Sequence, residues 1–280
     1  MDSFDVETRI FAPRQVLGWS LFTLSAGFVN AGAVMASKNF VTHITGNVTS
    51  LATDMRLASE YVFIVVMFLA GAMVGVLMAE TLKTKGALAF VLPLLFSFAT
   101  LIGIAMVGKA GVFGPFGGAG DPSGRAFVML GLLAGAMGTI NASIAAATRN
   151  QVRVTHMTGP VTDLAGNLVR AALGAGNGSA MELRWAALRF VKLLAFAVGA
   201  GLAARASESL RYDVFAAGAG ILIVALGFTG APSEARGEGE GTGVSDVFPA
   251  EPEMSDVHMP RIARRGREAQ GHRDDRDAAE

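Results

Sequence analysis

The sequence predicts an all-α integral membrane protein of about six transmembrane helices, arranged as two three-helix inverted repeats. Each repeat carries an interrupted or re-entrant TG-containing element, and a disordered hydrophilic tail follows. Three observations carry this reading. The segment 41–52, VTHITGNVTSLA, returns 113 residues later at 154–165 as VTHMTGPVTDLA, identical at nine of twelve positions, so the chain holds two copies of one plan. The chain is 52% hydrophobic with a mean hydropathy of +0.47, and its apolar runs are too long and unrelieved for soluble helices. Three spans per half is an odd number, so the second half enters the membrane from the opposite side, the inverted-repeat plan of many secondary transporters.

Taken in order, residues 1–14 form an arm whose three acids and two arginines precede any apolar run, unlike the positive start of a cleaved signal peptide. Residues 15–107 make the first membrane repeat. Its spans are expected at 15–36, with Trp19 near one interface and a polar interruption at Asn30, at 61–82, and at 86–107, with a bend at Pro93. Between the first two lies the TG element, and Asp54, Arg56 and Glu60 leave it too little apolar length to be a full span. Gly71 and Gly75 in GxxxG spacing give the second span a face for close helix contact.

Residues 108–124, rich in glycine with Pro115 and Pro122, read as a linker between halves. Residues 125–231 repeat the order: a span at 125–148 interrupted by Asn141, the second TG element, a glycine-rich turn at 174–178, and spans at 185–204 and 212–231. Arg189 and Lys192 are expected to snorkel from the fifth span to an interface. Residues 232–280 are polar and aperiodic and read as a disordered tail.

The candidate site is built from the duplicated element. His43 and His156 are two of only four histidines and occupy equivalent places. Histidine changes charge nearest neutrality of all side chains, so it accepts an anion when protonated or passes a proton when neutral. Thr42, Thr45, Thr155 and Thr158 supply hydroxyls and helix caps; Asn47 and Pro160 stand at equivalent places in the first turns, where a missing N–H is harmless. A helix N-terminus presents free N–H groups and partial positive charge, which suits an anion or a carboxylate. Asn30 and Asn141 precede the two histidines at similar spacing, and Asp163, one turn past the second cap, is the expected buried acid. The two histidines are expected to share a small polar space shielded from bulk water.

These residues carry a family resemblance. SAGFVNA followed by Phe40 and the triplet Thr45-Gly46-Asn47, with Asn141-Ala142 and Thr158-Gly159 in the second half, resembles the YoaK-like family of bacterial polytopic membrane proteins of unknown function. The resemblance covers roughly residues 15–230 and implies an inner-membrane protein with no activity to transfer. That family often carries aspartate where this chain has Asn30, so no proton-carrying acid is implied there.

Composition narrows the function. No basic face, zinc-finger spacing or RNP-like sequence points to nucleic acid, and without cysteine there are no disulfides, thiolate metal sites or cysteine nucleophiles. HExxH, GxSxG and P-loop patterns are absent, so neither a cofactor, a metal nor an enzymatic role is expected. The first reading is a small-solute transporter or channel in the bacterial inner membrane, its solute unidentified and an anion among the candidates. The second is a structural or partner-binding subunit, self-associating through small-residue faces; a membrane enzyme comes third. Lysine and arginine number eight on one set of loops and six on the other before the tail adds seven to the first, which places both termini in the cytoplasm.

Overall fold

The computed structural model describes residues 10–53, 58–118, 124–176 and 178–229. Asp54, Arg56 and the tail expected at 232–280 lie outside the described residues. Among those described are eight α-helices and no strand: α1 Pro13–Ser37, α2 Ile44–Thr53, α3 Ala58–Thr81, α4 Ala87–Lys109, α5 Arg125–Ala147, α6 Thr158–Leu173, α7 Ser179–Leu210 and α8 Asp213–Thr229. Five of them (α1, α3, α4, α5 and α7) are long and apolar enough to cross a membrane, while the sixth expected span is the 17-residue apolar α8. The ten-residue α2, at 1.5 Å per residue about 15 Å long, falls well short of a bilayer.

Local chemistry sets the helix ends. Pro13 opens α1, where its missing N–H goes unneeded, and Lys38 closes it in a left-handed conformation with its N–H donated to Val34 O at 2.8 Å. Gly174 closes α6 in the same conformation. α4 continues through Pro93 as one helix. α7 starts six residues before the expected span because its early charges are partnered: Glu182 is buried and accepts from Arg170 Nε at 3.0 Å and Asn167 Nδ2 at 2.5 Å. Trp19 lies in the core against Phe22 and Phe90.

The halves interlock. α1 packs on α7 and α8, α5 packs on α3 and α4, and α4 meets α8, while α2 rests on α3 and α6 on α7. Exchanging α1–α4 for α5–α8 maps each of these pairs onto another or onto itself. α1 and α5 are the central helices, 61% and 67% buried over their apolar windows against 17% for α3.

Glycine permits this packing, since membrane helices associate through close van der Waals approach rather than a hydrophobic effect. A Cβ at Gly27 would collide with the Phe196 carbonyl and one at Gly199 with the Leu24 carbonyl; in the other pair, Gly138 faces the Phe68 carbonyl and Gly71 the Gly135 carbonyl. These contacts are again equivalent between halves. Hydroxyls reinforce them: Ser25 Oγ donates to Gly218 O at 2.9 Å and Thr139 Oγ1 to Gly71 O at 2.8 Å. The GxxxG face of Gly71 and Gly75 is therefore occupied within the chain by α5, which removes it as a route to self-association.

Candidate functional site

Each TG helix is preceded by an extended turn whose backbone needs a buried acceptor, and the two asparagines supply it. Asn30 Oδ1 on α1 accepts from the N–H groups of Val41 and Thr42, both at 3.1 Å. Asn141 Oδ1 on α5 accepts from Val154 at 3.1 Å and Thr155 at 3.3 Å. One amide oxygen thus satisfies two successive backbone donors in each half, which an apolar side chain cannot do. Asn47 secures the first turn from the other side, donating Nδ2 to Phe40 O at 3.0 Å.

Past these pinned turns the histidines fold back over the first turns of α2 and α6. A Cβ on Gly46 would overlap the His43 ring, and one on Gly159 would lie 3.1 Å from His156 Nε2. Glycine in each TG dipeptide is therefore the residue that lets an imidazole cover a helix start. Phe40 holds the first ring edge-on, with centroids 5.8 Å apart.

Both ends open into one cavity of about 510 Å³. Eight of the ten residues expected from the sequence line it: Asn30, Thr42, His43 and Thr45 from the first half, Asn141, Thr155, His156 and Thr158 from the second. Thr42 and Thr155 are buried, whereas both imidazoles are exposed, so the cavity is open at the histidines rather than enclosed by protein. Asn47 and Asp163 lie outside it. Asp163 is also not the buried acid, because α6 packs only on α7 and leaves the carboxylate 57% exposed, 3.4 Å from Arg189; among the described residues the buried acid is Glu182. Thr158 begins α6 without a side-chain cap, which corrects the expected capping role there.

Residues 18–228 match the family described as a protein of unknown function, DUF1275. The chain belongs to this family. The DUF1275 match spans both TG elements and every cavity residue, and membership in an uncharacterised family was the level of identity the SAGFVNA and TGN patterns foretold; the YoaK-like label itself rests on that resemblance alone. No curated protein and no solved structure matches the sequence.

Sequence reasoning missed Phe68 and Phe196, which bring an aromatic wall to the cavity from α3 and α7. A signal existed: each stands three residues before the glycine, Gly71 or Gly199, that packs its helix against its neighbour. Arg153 was missed because it sits one place before the repeat, opposite Phe40 of the other copy. Among the described residues no three His, Cys, Asp or Glu side chains converge as a metal site.

Proposed function

We propose that this protein is a small-solute transporter or channel whose site is the cavity between the two TG elements. The observation that carries the proposal is the cavity itself, lined from both halves by matching asparagine, threonine, histidine and phenylalanine side chains. Polar side chains and helix starts at a repeat interface are the means by which membrane transporters bind solutes, the helix starts facing anionic groups. A structural subunit requires no such cavity. Purified protein in liposomes, offered small inorganic anions, carboxylates, amino acids and protons in turn, should accumulate or conduct at least one of them above protein-free vesicles; silence across the panel would sink the proposal.

The halves on this reading are inverted, with both termini cytoplasmic. Because the chain has no cysteine, single cysteines at Lys83, between α3 and α4, and at Arg211, between α7 and α8, report sidedness cleanly. A membrane-impermeant maleimide applied to oriented vesicles should label one position and spare the other. Labelling of both from the same side would make the repeats parallel.

A further inference from the structure

Beside the shared cavity lies a smaller one of about 210 Å³, present on the side of the second half and joined to the first through Arg153 and His156. Its remaining charged lining comes from Arg189, Lys192 and Asp163. Three cations therefore face one carboxylate. Lys192 was expected to snorkel, yet it is 3% exposed and makes no hydrogen bond or ion pair with the described residues. Arg189 lends one nitrogen to Asp163 at 3.4 Å and stacks on Trp185 at 5.4 Å, while its Nη1 is buried without an acceptor. The nearby carboxylate of Glu182 is engaged by Arg170 and Asn167 and does not neutralise Lys192.

A buried ammonium without a partner is costly in any apolar setting, and a membrane makes it more so. Gly159 and Pro160 place the start of the 16-residue α6 on the same wall, adding the positive end of a helix. The equivalent wall of the first half carries none of this charge. Counting from matched landmarks, Phe40 replaces Arg153, Tyr61 replaces Arg189, Ser50 replaces Asp163, and the fully buried Ile64 replaces Lys192.

We propose that this cavity is a binding site for a small soluble anion, held between Lys192, Arg189 and the start of α6, and that it sets the charge preference of the larger cavity it adjoins. The charge-preference clause rests on the transport reading; the binding clause does not. Anion binding without any transport would keep the site and remove the transporter, and transport without anion binding would do the reverse.

Trp185 lines the site and is 6% exposed, so it serves as the reporter. In a Trp19→Phe background, which retains a ring against Phe22 and Phe90, iodide is titrated into full-length protein in low-chloride detergent buffer. Quenching of Trp185 should saturate and be displaced by acetate, while the neutral quencher acrylamide shows no saturation. Lys192→Met should raise the half-saturating iodide concentration about tenfold or more, and Lys192→Arg should keep it within about threefold. In anion-free buffer Lys192→Met should also melt at a higher temperature, because an unpaired buried charge has been replaced by apolar volume. Unsaturating quenching, or identical curves for parent and Lys192→Met, would overturn the proposal. So would displacement of iodide by phosphatidylglycerol but not by acetate, which would make the cavity a lipid headgroup site.

Discussion

Gly27→Leu and Gly138→Leu should each yield almost no monodisperse protein in detergent, a stability loss among the largest expected of single substitutions in the helical domain. At both positions the new side chain meets a backbone carbonyl, Phe196 or Phe68, rather than the movable end of a side chain. Overpacking a core ordinarily costs about 1–3 kcal/mol, and more where the obstruction cannot rotate away. The two helix pairs concerned, α1 with α7 and α5 with α3, join the first half to the second, so separating either opens the cavity walls that carry Asn30, Asn141, Phe68 and Phe196. Gly103→Leu is the matched control, since nothing lies within 4 Å of a Cβ there. It should behave as the parent in gel filtration and thermal unfolding. Equal yields of Gly103→Leu and Gly138→Leu would remove the close-packing explanation.

Much of this was legible because transmembrane helices are written in long apolar runs and the repeat was written in identical residues. The expected spans fall within a few residues of α1, α3, α4, α5 and α8, as bilayer thickness demands. The duplicated element located most of the cavity, since a turn that satisfies its backbone through a distant asparagine and covers a glycine with a histidine tolerates little change. What remained hidden depends on contacts between elements. The early start of α7 required knowing that Glu182 finds Arg170 and Asn167 on α6, and no local pattern encodes that pairing. The exchange of α1 and α5 between halves, and with it the role of Phe68 and Phe196, follows from which glycine meets which carbonyl across the molecule. Lys192 looked like a snorkelling residue because its neighbours along the helix say nothing of the second cavity it faces.

A single site shared by the two TG elements makes a quantitative demand on the histidines. His43 and His156 reach one cavity from opposite halves and each covers the start of its own helix. Removing either imidazole ring should therefore damage the same step. His43→Ala and His156→Ala should each lower the initial rate of uptake into liposomes about tenfold or more, equivalent to about 1.4 kcal/mol, and alter its pH dependence. Both variants should remain monodisperse, because neither ring is buried. The double variant is the decisive one: coupled residues are non-additive, so it should lose markedly less than the product of the two single losses. Initial uptake rates of the parent, both single variants and the double variant, measured across pH in the same liposomes, test the shared cavity most directly. Sub-multiplicative loss with an altered pH profile is the result expected of one site; multiplicative losses with an unchanged profile would contradict it.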